Sequence, residues 1–257
     1  MSSRRRLDEL LVARGFYPSR SRARDAVLRG TVRVAGTVAL KPAQLVSHDA
    51  GIETIDEGRA YVSRAALKLI HGLDRFAIES KGRYCLDIGA STGGFTQVLL
   101  ERGAAHVTAI DVGHGQMALH DPRLTSIEGL NARDLGVSHL THPVDLITCD
   151  VSFISLKLAL PPALSLARPG TELMALIKPQ FEAGRHALGK TGIVTDAKVH
   201  WRVCTGIAEF LSGLGWRILG IEPSPIAGGG GNCEFLIAAR QQSPSAARFA
   251  SPPGPGA

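Results

Sequence analysis

Residues 84–95 read YCLDIGASTGGF. Strand-forming residues from Tyr84 to Ile88 run into a loop with glycine at 89, 93 and 94, and a helical spacing of apolar residues follows in FTQVLLERG (95–103). A strand that passes through a glycine turn into a helix lets a ligand come close to backbone atoms. The rhythm continues in HVTAIDVG (106–113), LTSIEGL (124–130) and VDLITCDVSF (144–153), with a helix-like GQMALHDPR (115–123) between two of them. Apolar strands about 25 residues apart, each followed by an amphipathic stretch, predict an α/β fold with a parallel sheet covered by helices on both faces. Ligands of such sheets bind at the carboxyl ends of the strands.

Those ends carry the unusual residues. Asp111 closes the second strand 22 residues beyond Gly89, where a carboxylate can accept from both hydroxyls of a ribose. The loop GASTGG departs from the dinucleotide pattern G-x-G-x-x-G, because Ser91 replaces the second glycine and Thr92 stands beside it. Asp87 suits the cationic amino-acid part of S-adenosylmethionine better than it suits a pyrophosphate. The expected cofactor is therefore S-adenosylmethionine rather than a nicotinamide or flavin, held by Asp87, Gly89, Ala90, Ser91, Thr92, Gly93, Gly94, Phe95 and Asp111. After the third strand, SIEGLNARDL (126–135) offers Glu128, Asn131 and Asp134 for the adenine end, or as ordinary loop polar groups.

Four ionisable residues stand where solvated charges are not expected. Lys68 lies between Leu67 and Leu69, Asp150 ends VDLITCD, Lys178 ends the apolar run ELMALIK, and Glu234 begins CEFLIAAR after a glycine run. Singly, each has a bland explanation: a snorkelling lysine, a turn cap, an edge-strand charge. As a set they suit alcohol methylation, in which a base removes the hydroxyl proton as the oxygen attacks.

The chain has 257 residues and 44% apolar composition, enough for a real core and for two domains, with a break near residue 60 in DEGRAYVSR (56–64). No run approaches the roughly 18 apolar residues of a membrane helix, and no secretory segment follows MSSRRRLDELL, so the expected location is cytoplasmic, away from membranes. Cys85, Cys149, Cys204 and Cys233 are far apart, without C-x-x-C or a zinc-ligand histidine spacing, which predicts reduced thiols and no metal. The net charge is +6, yet residues 1–41 alone hold ten Lys/Arg against three acids. Here Leu7, Leu10 and Leu11 predict a helix ended by Gly15. Ser19 or Ser21 caps a second helix closed by Gly30, and TVRVAGTVAL (31–40) predicts a hairpin about Ala35-Gly36. Arg4 and Arg6, with Arg20, Arg22, Arg24 and Arg29 on or before the second helix, are expected to present guanidinium groups to a phosphate backbone. The Pro- and Ser-rich tail, 241–257, is expected to be disordered.

Residues 4–55 resemble the small RNA-binding module shared by a small-subunit ribosomal protein, many pseudouridine synthases and some tRNA synthetases. Over residues 4–240, YVSRAALKL, LDIGASTGGFT, AIDVGHGQ, CDVSFISL, LIKPQFEAGR and SPIAGGGGNCEFL resemble the TlyA family of ribosomal RNA methyltransferases, formerly called hemolysins, whose catalytic domain is similar to FtsJ-type RNA 2′-O-methyltransferases. The resemblance implies a Rossmann-like class I S-adenosylmethionine methyltransferase domain over 61–240 behind a small α+β RNA-binding domain over 1–60. It implies that Lys68, Asp150, Lys178 and Glu234 form a Lys-Asp-Lys-Glu tetrad with Lys178 as the base. It further implies transfer to a cytidine 2′-hydroxyl of ribosomal RNA, 23S first and 16S second, on ribosomal subunits. The competing classes are an RNA base methyltransferase, a non-catalytic RNA-binding or ribosome-assembly protein, and a pore-forming hemolysin. DVSF stands where amino-group methylation calls for Asn/Asp-Pro-Pro-aromatic, and Cys149 lies inside a strand, poorly placed as a nucleophile. The intact tetrad and loop argue against a non-catalytic protein, and no strongly amphipathic apolar helix supports a pore.

Overall fold

The computed structural model describes residues 4–184, 189, 192–228 and 231–242, and the chain divides into two compact units, Met1–Tyr61 and Val62–Ala257. The tail expected to be disordered lies, from residue 243 on, outside the described residues, and Gln241 belongs to the last strand.

In the first unit, β1 (Arg4–Arg6) pairs with β4 (Leu45–Ser47), and β2 (Val32–Val34) is flanked by β3 (Thr37–Val38) and β5 (Ile52–Thr54). Helices α1 (Leu7–Ala13) and α2 (Arg20–Leu28) bury Leu7, Leu10, Leu11, Ala23, Ala26 and Val27 in one small core with Tyr17 and Val32. Ser19 caps α2 by accepting from the Arg22 N–H. Both residues of the β2–β3 turn are left-handed, Ala35 at φ 48° and Gly36 at φ 78°, as a tight hairpin turn requires.

The second unit is a seven-stranded sheet in the order β11-β12-β10-β9-β6-β7-β8, from β6 (Tyr84–Ile88), β7 (His106–Asp111), β8 (Leu124–Glu128), β9 (Val144–Cys149), β10 (Ala167–Ile177), β11 (Trp216–Pro223) and β12 (Phe235–Gln241). Only β12 runs antiparallel to its neighbours. The expected sheet thus carries one reversed strand, because a short return from β11 replaces a crossover helix. Residues 171–177 of β10 are all buried, and from Leu173 to Ile177 the strand reads as an unbroken apolar run.

Its helices are α3 (Ala65–Arg75), α4 (Gly94–Glu101), α5 (Leu156–Ala159), α6 (Pro161–Ser165), α7 (Pro179–Glu182) and α8 (Ala197–Gly213). A Cβ on Gly72 of α3 would lie 2.8 Å from Met174 Sδ. Glycine there lets α3 settle against β10 and β12, and Lys68, one turn earlier, shares that face. The helix expected in GQMALHDPR does not form. Glu128 instead draws the chain into an irregular loop, accepting N–H bonds from Gly115 at 2.6 Å, Gln116 at 3.0 Å and Met117 at 3.2 Å.

Candidate active site

The strand order reverses between β6 and β9, since β7 and β8 continue on one side and β10 on the other. The carboxyl ends of β6 and β9 therefore open a crevice at the topological switch point. The Asp150 N–H donates to Ile88 O at 2.9 Å, which ties the two strand ends together, and the Gly89 N–H donates to Ile110 O on β7 at 2.9 Å. Gly89 has φ +80°, and a Cβ on it would meet Asp150 O at 2.7 Å, so only glycine fits.

The crevice is a cleft of about 830 Å³ lined among others by Gly89, Ser91, Ile110, Asp111, Val112, Leu130, Asn131, Asp150, Ser152 and Phe153. Asp111 fixes the loop by accepting the Ser91 N–H at 2.8 Å and the Gly113 N–H at 2.7 Å, one on each carboxylate oxygen. Each oxygen keeps a further lone pair. With the apolar walls Ile110, Val112 and Leu130 and the Asn131 amide, this donor set fits a nucleoside: a carboxylate for the ribose hydroxyls and flat apolar surfaces for the base.

All four ionisable residues singled out in the sequence come to this edge of the sheet. Lys178 directly follows β10 and Asp150 directly follows β9; Lys178 Nζ is 2.6 Å from Asp150 Oδ1 and donates to Ser152 Oγ at 2.9 Å. Lys68 makes a buried ion pair with Glu234. The β10–β12 ladder pairs Ile177 with Phe235, so one further step in register sets Lys178 opposite Glu234, and the two lysine–carboxylate pairs are neighbours across it. Gly228 leaves room for the carboxylate, as a side chain there would overlap Glu234 Oε1. Lys68, Lys178 and Glu234 are buried, while Asp150 lines the cleft. Pro179 opens α7 and so ends the strand at the lysine. Ser152, missed by the sequence reading, sits two residues beyond Asp150 on the same turn, and that spacing was its only signal.

Several residues expected at the cofactor lie away from the lining of this cleft. Asp87 does not face the cleft: it is fully buried and accepts from Thr96 Oγ1 at 2.7 Å and Thr148 Oγ1 at 2.9 Å. Burial pushes its carboxyl up to about 6 against the pull of the two hydroxyls. Ala90, Thr92, Gly93, Gly94 and Phe95 do not line the cleft either. Gly93 is the left-handed N-cap of α4, and a Cβ on Gly94 would lie 2.8 Å from Ser63 Cβ, so these two glycines serve helix placement. Glu128 is bound to the 115–117 backbone, with the Gly115 N–H first in holding its carboxyl below the usual range, and Asp134 lies outside the cleft. Cys149 is fully buried, and that burial pushes its thiol up, the opposite of a nucleophile.

In the first unit, the arginines do not form one free array. Arg29 is turned inward, donating to Asp56 at 2.8 and 2.9 Å and to Asp25 at 3.0 Å. Asp56 is buried and needs that counter-charge, and it also accepts from the Tyr17 hydroxyl at 2.9 Å. Arg6 pairs with Asp8 and Arg20 with Asp8 and Glu9, while Arg22 donates to the Gly58 and Tyr61 carbonyls. Arg4 and Arg24 are exposed.

Residues 61–241 match the FtsJ-like methyltransferase family and residues 5–52 the S4 domain. The chain is 44% identical to the 16S/23S rRNA (cytidine-2′-O)-methyltransferase TlyA of Mycobacterium tuberculosis over 95% of this chain and 92% of that one. It is 37% identical to Hemolysin A of Brachyspira hyodysenteriae, over 90% and 98%. A hemolysin-named structure from Streptococcus thermophilus superposes with a TM-score of 0.73 at 36% identity, covering 95% of this chain and 90% of that one. Among the described residues no helix is long and apolar enough to cross a membrane, and no cluster of His, Cys, Asp and Glu could hold a metal ion.

Proposed function

Because this chain belongs to the TlyA family of FtsJ-like rRNA methyltransferases, with an S4 domain near its N terminus, we propose that it transfers a methyl group from S-adenosylmethionine to the ribose 2′-hydroxyl of a cytidine in ribosomal RNA. The substrate is 23S rRNA, with 16S rRNA second, and the work is done on ribosomal subunits in the cytoplasm. The observation that carries the reading is the pair of buried lysine–carboxylate contacts, Lys178–Asp150 and Lys68–Glu234, at the edge of a cleft suited to a nucleoside.

Asp111, Gly89, Ser91 and Asn131 would hold the cofactor, Asp111 through the ribose hydroxyls. S-adenosylmethionine supplies, when bound, an electrophilic methyl group on a sulfonium. The chain's own contribution is to the nucleophile. Lys178 Nζ, in its neutral form, accepts the proton of the 2′-hydroxyl, and Asp150 stabilises the ammonium as its charge develops. The Ser152 hydroxyl, 2.9 Å from Nζ, fixes the amine in direction. Lys68 and Glu234 neutralise each other beside it and fill the space that water would otherwise take.

The reading is tested by incubating the protein with labelled S-adenosylmethionine and isolated large or small ribosomal subunits, then digesting the RNA to nucleosides. Label in 2′-O-methylcytidine is expected. Label in a base-methylated nucleoside, or none in either subunit, would refute the proposal.

A further inference from the structure

The methyltransferase unit carries its own cationic strip, which among the described residues has no ion-pair partner, unlike Arg6, Arg20 and Arg29 of the first unit. Lys198 and Arg202 lie four residues apart on α8 and are exposed. One turn further, a Cβ on Gly206 would lie 3.7 Å from Lys157 Nζ, so the α5 lysine reaches over α8 in the same row. Positions 198, 202 and 206 fall on one i, i+4 stripe at intervals of about 6 Å. Among the described residues, no carboxylate is within ion-pair distance of Lys157, Lys198 or Arg202. Asp196, the nearest acid in sequence, is turned to the start of α8 and accepts the Lys198 N–H at 2.8 Å. Glu209, the next acid on α8, lies beyond Gly206.

Beside this row stands Trp201, 71% exposed. Among the described residues, no aromatic ring or cation stacks on its indole. An uncovered indole on the helix that carries the cationic row offers a π-face for a base, and the row offers charges for the phosphates of the same strand, the combination that single-stranded nucleic acid requires. The strip also adjoins the cleft, since Leu158, next to Lys157 on α5, is one of the residues that line it.

We propose that Trp201, with Lys157, Lys198 and Arg202, forms an RNA-docking strip on the methyltransferase unit, where one base of a single-stranded segment stacks on the indole while its phosphates lie along α8. The strip rests on the proposed function for the identity of the RNA. It adds a contact surface separate from the S4 domain and from the reacting residues.

Trp216 is buried, so the two tryptophans of the chain are distinguishable by fluorescence. Full-length protein is titrated with protein-free rRNA while emission is followed, and KM and kcat for methyl transfer to ribosomal subunits are measured in parallel. RNA is expected to quench the exposed indole in the wild type. Trp201→Ala should weaken RNA binding on the order of tenfold and raise KM with kcat nearly unchanged, and Trp201→Phe should restore most of both. The double variant Lys198→Ala/Arg202→Ala should lower the salt dependence of binding by about 0.7 in log–log slope per lost phosphate contact. Unchanged RNA affinity in Trp201→Ala, or equal behaviour of Trp201→Leu and Trp201→Phe, overturns the strip as a stacking site. A self-associating wild type that Trp201→Ala makes monomeric would assign the face to a second copy and overturn it too. Failure of methyl transfer in the wild type with quenching intact would refute the proposed function and leave the strip standing.

Discussion

The β10–β12 ladder holds buried carboxylates at both ends, and the cations that meet them differ. At one end Glu172, paired in register with Arg240, is 2% exposed, accepts from Arg240 Nε at 3.1 Å, and also pairs with Arg83. At the other end the ladder brings Lys178 opposite Glu234, and the cations are lysines. Guanidinium groups stay charged and fit a carboxylate with a planar fork, so the first end is a clamp. A lysine can lose its proton and take one back, so the second end can do chemistry. The same strands thus carry stability at one edge and reactivity at the other.

The largest effect expected from breaking this contrast is at the lysine end. Lys178→Ala should lower methyl transfer about 10³-fold, while thermal unfolding and the affinity for S-adenosylmethionine stay near those of the wild type. Next comes a third buried carboxylate, Asp87, which has hydroxyl partners and no cation. Its folded carboxyl holds a proton to about pH 6 whereas the unfolded one releases it near 3.8, so the stability it contributes is full below about pH 4 and lost as pH rises through 6. The loss is roughly 3 kcal/mol. Urea titrations at pH 4.5 and 7.5 should show about 2 kcal/mol of that loss in the wild type and a smaller difference in Asp87→Asn. Glu172→Ala should cost about 2 kcal/mol, read as a lower Tm, with kcat per folded molecule unchanged. Smallest is Arg240→Lys, which keeps a charge on Glu172 and should cost under about 1 kcal/mol.

Much of this was readable from residues 84–95 and the strand ends around them. Asp111, Asp150 and Lys178 all stand where an apolar run stops, and a charge at that place in a parallel sheet faces the crevice, whereas Glu234 stands where the reversed strand β12 begins. Gly15, Gly30 and Gly36 likewise mark turns that their positive φ values bear out. Asp87 misled because it lies inside a strand, where side chains alternate between faces, and its side chain reaches Thr96 at the start of α4 rather than the loop's ligand side. The segment 115–123 has helical spacing of apolar residues, yet three of its N–H groups are taken by Glu128, a partner from the far side of the loop. Arg29 gave no sign of its role, since Asp56, its counter-charge, lies 27 residues away. Basic residues near a chain terminus read alike whether they are clamped or free; only the positions of the acids tell them apart.

The most direct test of the contrast is the single-turnover rate of 2′-O-methyl transfer by Lys178→Arg on ribosomal subunits. This substitution keeps the positive charge beside Asp150 but removes a group that can accept a proton at neutral pH. A rate lower by about 10²-fold or more, with unchanged cofactor affinity and Tm, is the predicted result. A rate within a few fold of the wild type would contradict the account, because charge alone at that end of the ladder would then suffice.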